Sequence, residues 1–248
     1  MPIARETLEE LYSKLRLSQR AVARKLGIPY TTLRNYLKKY GMATLERDVF
    51  QWNEDTSYLV GALLGDGCAF RSYGGHSPLR YRVELAVSDE IFARRVFNSA
   101  LRIGLCPHWY KPQTFKNSIK TYTRYKVGID SEKLYQLIIN LKLEPIKLLD
   151  LIQNSKEASY LLAGFYDAEG CYVNKNSRWY HLQMSNTNIP LLSTLKLVSE
   201  KIGYDFRLRL VRKAQGNWKP LYRLVSTKRS EIYSFLGQVT EIRGSLQE

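Results

Sequence analysis

Two stretches of this sequence have the same form: Leu-Val-Gly-Ala-Leu-Leu-Gly-Asp-Gly at residues 59–67 and Leu-Ala-Gly-Phe-Tyr-Asp-Ala-Glu-Gly at residues 162–170. Each is an apolar segment rich in small residues that ends in an acid and a glycine, which is typical of a buried helix and its last turn. The free carbonyls of a helix C-terminus disfavour a carboxylate there by roughly 0.3 to 1 kcal/mol. Because Asp66 and Glu169 both break this rule, we predict that they share a function.

The small residues within the two stretches predict how the helices pack. Gly61 and Gly65 in the first stretch, and Gly164 and Ala168 in the second, are spaced four apart. Each pair therefore forms a smooth strip on one helix face. Two such strips let helix backbones approach closely, which would bring the two helix-terminal acids to one point.

At such a point a hard divalent cation would accept carboxylate and carbonyl oxygens. The predicted metal ligands are Asp66 and Glu169 with the backbone carbonyls of Gly65 and Ala168. Taken alone, either stretch fits an ordinary buried helix better, with its final glycine as a left-handed cap. The repetition favours a metal site, and we expect left-handed caps at both glycines as well.

The two stretches resemble the paired motifs of the LAGLIDADG homing endonucleases, in the single-chain form that carries two motifs. The second stretch matches the family name at six of nine positions and the first at four. The resemblance covers residues 55–240. The first stretch departs from the pattern at Leu64, where an acid is usual and where the second has Asp167; that position is generally structural.

This resemblance implies a monomeric enzyme that makes a double-strand break, with short 3′ overhangs, at a long and nearly asymmetric DNA target. It implies Mg²⁺ as the cofactor, with Mn²⁺ as a substitute and Ca²⁺ as an ion that binds without supporting cleavage. A metal of this kind lowers the pKa of water and stabilises the leaving oxygen in phosphodiester hydrolysis.

The similarity between the two halves continues beyond the motifs. The aligned positions are Cys68 with Cys171, Ser88-Asp89 with Ser185-Asn186, Ile103-Gly104 with Ile202-Gly203, and Tyr125-Lys126 with Tyr222-Arg223. Their order is the same in both halves, and the period is too long for a solenoid. We therefore predict a duplicated subdomain with approximate two-fold symmetry.

Each half has the pattern helix, two strands, helix, two strands, helix. Charged and apolar residues alternate at residues 80–85 and 205–210, which indicates strands with one buried and one charged face. Residues 92–103 and 191–202 have helical spacing and are each followed by glycine, a stop signal. The predicted fold class is α+β: two pseudo-symmetric repeats with antiparallel, DNA-binding sheets, plus a small all-α region.

Composition points to a polyanionic partner. The 248 residues include 38 Lys and Arg against 23 Asp and Glu, a net charge of +15. Charge alone does not separate DNA, RNA and an acidic membrane. No apolar run reaches the roughly 18 residues of a membrane span, and the start lacks a signal-peptide core. We expect an intracellular protein of the cytoplasm and nucleoid, or of an organelle, without a membrane partner.

The histidines and cysteines show no zinc-binding spacing. Cys68 and Cys171 follow the final glycine of each motif, and we expect them to be small, buried packing residues.

Basic and polar residues on the predicted strands are candidates for contact with double-stranded DNA. These candidates are Arg80, Arg82, Ser88, Asp89, Tyr122, Arg124, Gln183, Asn186, Arg207 and Arg209. A solvent-exposed strand face carries Lys and Arg without any binding role about as often as with one. The excess of positive charge beside a predicted metal site nevertheless favours DNA binding. Lys126 and its repeat partner Arg223 are the candidate basic catalytic residues, which would position water or stabilise charge on the phosphate.

Residues 18–37 resemble a helix-turn-helix, with a plain helical hairpin as the alternative. Small Ala23 permits a close crossing, Gly27 makes the turn, and Ile28, Leu33 and Leu37 bury the second helix. The residues left to meet the major groove are Tyr30, Thr31, Thr32, Arg34, Asn35 and Lys38. The predicted organisation is a helix-turn-helix region at 1–45, a linker at 46–56, and repeats at 57–154 and 155–248.

The sequence therefore favours a site-specific DNA endonuclease of intron or intein mobility. Two alternatives stay open: an intron RNA maturase of the same fold, and a regulator that binds DNA without cleaving it. Asp66 and Glu169 argue against both alternatives, because a pure binder has no need for paired acids at unfavourable helix ends.

Overall fold

The computed structural model describes residues 3–14, 19–42, 51–74, 77–116, 121–175 and 179–246. The chain divides into two compact units, Met1–Val49 and Phe50–Glu248. Residues 46–50 of the predicted linker lie outside the described residues.

The first unit is built from short helices. Helix α1 (Arg5–Leu8) continues as a π-helical segment (Glu9–Lys14), followed by α2 (Gln19–Lys25) and α3 (Tyr30–Lys39). Gly27, between α2 and α3, has a φ of 63°, which a residue with a side chain rarely adopts. Ala23, Leu33 and Leu37 are buried as the sequence predicts, whereas Ile28 is only half-buried.

The outer face of α3 carries the residues predicted to meet DNA. Thr32 is half-buried, and the others are exposed: Tyr30, Thr31, Arg34, Asn35 and Lys38. DNA binding by this unit stays a prediction.

The second unit contains the two repeats. The first repeat consists of α4 (Glu54–Gly65), β1 (Gly67–Gly74), β2 (Ser77–Val87), α5 (Glu90–Arg102), β3 (Pro107–Trp109), β4 (Gln113–Lys116), β5 (Thr121–Asp130) and α6 (Glu132–Leu143). A 3₁₀ turn (Pro145–Lys147) and α7 (Leu148–Leu151) connect it to the second. The second consists of α8 (Ser155–Glu169), β6 (Gly170–Lys175), β7 (Trp179–Asn186), α9 (Ile189–Lys201), β8 (Arg207–Arg212), β9 (Leu221–Ser226) and α10 (Arg229–Ser245). Residues 54–56, which we assigned to the linker, form the first turn of α4.

Each repeat forms one antiparallel sheet. The strand order is β1-β2-β5-β3 in the first, with β4 also paired to β5, and β6-β7-β9-β8 in the second. The first sheet thus has one strand more than we predicted. Strands β3 and β4 lie along the same edge of β5 and are interrupted at residues 110–112, where Pro112 has no N–H to donate.

Helices cover one face of each sheet, and this face is the core. Val83, Leu85, Val127 and Ile129 of the first sheet are buried there. Glu84, Arg82 and Lys126 lie at intervening positions, on the open face. The mixed helix and antiparallel sheet architecture confirms the predicted fold class.

Helices α4 and α8 cross at the centre of the second unit. Small residues at the crossing allow the two helix backbones to come into contact. A Cβ atom on Gly61 would lie 2.1 Å from the carbonyl oxygen of Leu161. A Cβ atom on Gly65 would lie 2.5 Å from the Cβ atom of Ala168. The prediction of two facing strips of small residues is therefore confirmed.

The prediction of left-handed caps at Gly67 and Gly170 is wrong. Gly170 has an extended backbone with φ −87° and ψ 149°, and both glycines begin strands, β6 and β1. A Cβ on Gly67 would lie 2.4 Å from the carbonyl oxygen of Leu63, so glycine is required by space. Left-handed glycines instead end α5 and α9, at Gly104 (φ 83°) and Gly203 (φ 87°), where we predicted stops.

The strand register corrects one pair of equivalent positions. Gly67 faces Leu85 and Gly170 faces Met184, so residues 86–87 correspond to Ser185-Asn186. Asp89 instead corresponds to Asn188, because each caps the helix that follows: Asp89 accepts from the Phe92 N–H at 3.0 Å and Asn188 from the Leu191 N–H at 3.1 Å. The predicted equivalence of Ser88-Asp89 with Ser185-Asn186 is therefore wrong by two residues.

Candidate active site

The two motif acids stand at the ends of the two crossing helices. Asp66 directly follows α4, and Glu169 is the last residue of α8. A Cβ on Gly65 would lie 2.9 Å from Cγ of Glu169, so the second acid stands beside the residue that precedes the first. The close helix crossing thus brings the acids together, as the small-residue strips predicted.

The electrostatics of the pair are unfavourable in the absence of a cation. Burial, and next the negative charge of Asp66, raise the pKa of Glu169 to about 7. Asp66 keeps an exposed edge, but the protein around it excludes enough water to raise its pKa as well. No hydrogen bond or ion pair reaches its carboxylate from any residue that the structure describes.

A chain of amides holds the carboxylate of Glu169. Asn186 Nδ2 donates to Glu169 Oε1 at 2.8 Å. The Oδ1 atom of Asn186 accepts from the backbone N–H of Asn188 at 2.9 Å, and Asn188 Nδ2 donates to the Lys142 carbonyl at 3.2 Å. Asn186, a predicted DNA-binding residue, therefore contacts the acid, and its bond lowers the pKa of Glu169.

Lys142 is a basic residue at this centre that the sequence did not reveal. Its Nζ donates to the Gly67 carbonyl at 2.6 Å, directly after Asp66. Burial lowers the pKa of Lys142, and the negative charge of Glu169 partly opposes that shift. Lys142 lies in the last turn of α6, which packs against α4 and β1; no local pattern marks this approach.

The two predicted basic helpers have different surroundings. Lys126 Nζ lies 2.7 Å from Glu84 Oε2 and 4.8 Å from the centre of the Tyr110 ring. Lys126 also lines, together with Asp66, a cavity of about 540 Å³. Arg223 Nε donates to Ser185 Oγ at 3.0 Å. The lysine thus shares a cavity with a motif acid, whereas the arginine is bonded to a hydroxyl of its own sheet.

Cys68 and Cys171 are exposed, so the expectation of buried packing residues is wrong. Both face outward because they are the second residues of β1 and β6, on the open faces opposite the helices.

The candidate DNA-binding residues fall into two groups. Exposed ones are Arg80, Ser88, Tyr122, Arg124, Arg207 and Arg209, and Gln183 is half-buried. Arg82 instead lies in a network: its Nε donates to Asp130 Oδ1 at 2.6 Å and its Nη1 to the Tyr110 hydroxyl at 2.9 Å. Asp89 is a helix cap. Structural partners therefore account for these last two.

Comparison with known proteins agrees with this geometry. Residues 156–240, from α8 into α10, match the model of the LAGLIDADG-like domain. The homing endonuclease I-DmoI in complex with DNA and Mn has a similar structure, with a TM-score of 0.51 and 25% sequence identity over 75% of this chain and 96% of that one. This chain has the LAGLIDADG fold.

Other structures share the LAGLIDADG fold. A single-residue variant of I-DmoI, in complex with its target DNA in the presence of Mg, has a TM-score of 0.52 and 23% identity over 75% of this chain and 96% of that one. Full-length DUF199/WhiA from Thermatoga maritima has a TM-score of 0.51 and 15% identity over 79% and 61%. No curated protein has a matching sequence. The fold thus occurs in proteins that are named as endonucleases and in WhiA, which carries no such name.

Asp167, the first acid of the second LAGLIDADG motif, has a structural role. Its side chain is 1% exposed and pairs with Arg95 Nη2 at 2.9 Å. It also accepts from the Tyr58 hydroxyl at 2.5 Å and from Arg243 Nε at 2.7 Å. The cluster ties α8 to α4, α5 and α10. The first motif has buried Leu64 here, so the departure from the family pattern leaves the two terminal acids in place.

The residues at the LAGLIDADG centre fit a hard divalent cation. Asp66 and Glu169 supply oxygen donors whose mutual repulsion a cation would relieve. Among the described residues no three His, Cys, Asp or Glu side chains converge, so further ligands would have to be carbonyl, water or substrate oxygens. The carbonyls of the last helical turn, including those of Gly65 and Ala168, have no partner further along the helix.

One further absence concerns membranes. Within the described ranges, no helix combines the length and the apolar character needed to cross a bilayer.

Proposed function

We propose that this chain is a site-specific DNA endonuclease that hydrolyses one phosphodiester bond in each strand of a duplex. Cleavage takes place where α4 and α8 end side by side. The observation that carries the proposal is the pair Asp66 and Glu169, because the first acid helps to raise the pKa of the second to about 7. Repelling acids at adjacent helix ends lower stability, so a functional reason for them is needed.

The proposed cofactor is Mg²⁺, with Mn²⁺ as a substitute and Ca²⁺ as a non-activating ligand. Asp66 and Glu169 would hold it, together with the carbonyls of Gly65 and Ala168. When bound, the ion would lower the pKa of water and stabilise charge on the leaving oxygen. The similarity to I-DmoI in complex with DNA and Mn supports a divalent metal.

The chain's own residues would prepare the site in three ways. Asn186 donates to Oε1 of Glu169, which fixes the carboxylate and keeps its other oxygen available. The ammonium of Lys142, anchored by the Gly67 carbonyl, adds positive charge where the scissile phosphate would lie. Lys126 would act from the first sheet, on the cavity that it shares with Asp66.

The partner in this proposal is double-stranded DNA, held across the open faces of both sheets. One chain supplies both halves of the interface, so a monomer is sufficient. The two halves differ in residues, which implies an asymmetric target. A location inside the cell, intron or intein mobility, and a second activity on intron RNA stay predictions.

The test is incubation with a randomised plasmid library in Mg²⁺, Mn²⁺, Ca²⁺ or chelator. We expect some members to be linearised in Mg²⁺ and Mn²⁺ only, and none by Asp66→Asn or Glu169→Gln. Glu144→Gln, which removes an exposed carboxylate paired with Lys147, is the matched control. Sequencing of the ends would give the target.

Two outcomes would contradict the proposal. Tight DNA binding without linearisation by any metal would favour a regulator that does not cleave. Cleavage that persists in Asp66→Asn would overturn the site assignment while leaving nuclease activity.

A further inference from the structure

The two open sheet faces carry different residues at equivalent positions. Glu84 lies between Cys68 and Gly128, and Gln183 lies between Cys171 and Val225. The register therefore makes Glu84 and Gln183 equivalent. The same register makes Lys126 equivalent to Arg223, because they face residues 86 and 185.

In the first sheet the central cations are paired with acids. Lys126 contacts Glu84 at 2.7 Å, and Arg82 lies 3.7 Å from the same carboxylate. Arg82 also makes a two-pronged contact with Asp130, at 2.6 and 2.9 Å. The side chains of Glu84 and Arg82 are only 12% and 19% exposed, so this network is held in place.

In the second sheet the cations, among them Arg223 at the position equivalent to Lys126, have no acid partner on the sheet. The strands β6, β7, β8 and β9 contain no Asp or Glu. Arg223 bonds to the neutral Ser185 hydroxyl, and Arg207 and Arg209 are exposed beside it. Asp205, which precedes β8, pairs with Lys228 at 3.1 Å.

This difference matters for a polyanion. An unpaired cation that meets a phosphate releases a counterion, so its contribution falls as salt rises. A cation already paired with a carboxylate brings little net charge, and its contact depends on geometry instead. Fixed, paired polar groups suit base edges, because they are held in one orientation before binding.

We propose that the two sheets hold a DNA duplex by different chemistry. The second sheet grips phosphates through Arg207, Arg209 and Arg223. The centre of the first sheet, where Arg82 and Lys126 are paired with acids, contributes shape and base contacts that depend little on salt, and the exposed Arg80 and Arg124 lie outside that centre. The residue pair Glu84 and Gln183 sets this division. The inference rests on the proposed function, since it requires one duplex to lie across both sheets.

The test exchanges the two residues and measures binding of a fluorescent random-sequence duplex by the full chain, without Mg²⁺, over a range of KCl. Glu84→Gln should tighten binding and steepen the slope of log affinity against log salt by about one, because it frees Lys126. Gln183→Glu should weaken binding and flatten the slope by about one, because it pairs Arg223.

A matched pair of double variants measures the cations directly. Arg207→Ala with Arg209→Ala should flatten the slope by about two. Glu84→Gln with Lys126→Met, which removes an acid together with the cation paired to it, should flatten it by well under one, since the two lost charges cancel. Equal changes from the two doubles, or unchanged slopes in both exchanged variants, would overturn the inference. Circular dichroism would show that each variant is folded.

Failure of this inference can be distinguished from failure of the proposed function. A wild-type chain that cleaves DNA but gives equal slopes in the two doubles refutes only the division between sheets. A wild-type chain that binds no duplex refutes the proposed function and the division with it.

Discussion

A Cβ atom on Gly164 would lie 2.1 Å from the carbonyl oxygen of Tyr58. The reciprocal contact, from Gly61 to Leu161, has the same length, so the two motif helices are in backbone contact on both sides. Carbonyl oxygens at this distance leave no room for a methyl group. The position of the two acids thus depends on two glycines that carry no chemistry themselves.

Replacing either of these glycines with alanine should destabilise the protein. We expect Gly61→Ala and Gly164→Ala to lower the free energy of unfolding by about 1–3 kcal/mol, because a backbone must shift to admit the methyl group. Gly237→Ala in α10 is the matched control, since its Cβ meets nothing within 4 Å. That change should raise stability by up to about 1 kcal/mol, as expected for glycine to alanine inside a helix. Urea denaturation measures all three, and equal effects would contradict the tight crossing.

Stability without metal should depend on pH through Glu169. Its pKa is raised from 4.5 to about 7, so the folded chain holds a proton that the unfolded chain loses first. The free energy of unfolding should therefore fall as pH rises from about 4.5 through 7. In chelator, Glu169→Gln should stabilise the protein at pH 8 and have little effect at pH 4.5. Adding Mg²⁺ at pH 8 should stabilise the wild type more than the variant. Denaturation curves at the two pH values provide the check, with Glu144→Gln as control; a pH-independent effect would argue against the raised pKa.

Lys142 should affect cleavage far more than binding. Lys142→Met keeps the length of the side chain but removes its charge from beside Gly67 and Glu169. We expect the single-turnover cleavage rate to fall roughly 10²- to 10³-fold, as for loss of one preorganised donor. DNA affinity should change little, and Lys142→Arg should recover part of the rate. Lys147→Met, at an exposed lysine in the 3₁₀ turn that follows α6, is the control. A parallel loss of affinity and rate would place Lys142 in general DNA binding instead.

The buried cluster around Asp167 should contribute strongly to the stability of the fold. Asp167→Asn leaves Arg95, 5% exposed, and Arg243 without their carboxylate. Breaking a buried ion pair in this way typically costs about 3–5 kcal/mol. Chemical denaturation measures the loss, and Asp205→Asn, in an exposed pair with Lys228, should cost under about 1 kcal/mol. Similar losses of unfolding free energy from the two variants would show that the buried cluster contributes no more to stability than an exposed ion pair.

Local sequence patterns were enough to predict how the helices and strands are arranged. Repetition of the motifs predicted the duplication, the four-residue spacing of Gly61 and Gly65 predicted the close crossing, and Gly104 and Gly203 predicted helix ends. These features depend on residues that are near one another in the chain, where helical periodicity and steric freedom act directly. The same local rules misplaced the caps at Gly67 and Gly170, because space behind the backbone, not a left-handed φ, requires glycine there.

The sequence by itself thus determined the duplicated α+β architecture and the pair of acids, because both follow from short-range periodicity repeated twice. Only the tertiary structure decided which polar groups surround the acids. Lys142 reaches Gly67 across 75 positions of chain, and Glu84 meets Lys126 only through strand register. Contacts of this kind depend on how helices and strands pack, and electrostatic pairing between distant residues leaves no periodic trace in the sequence.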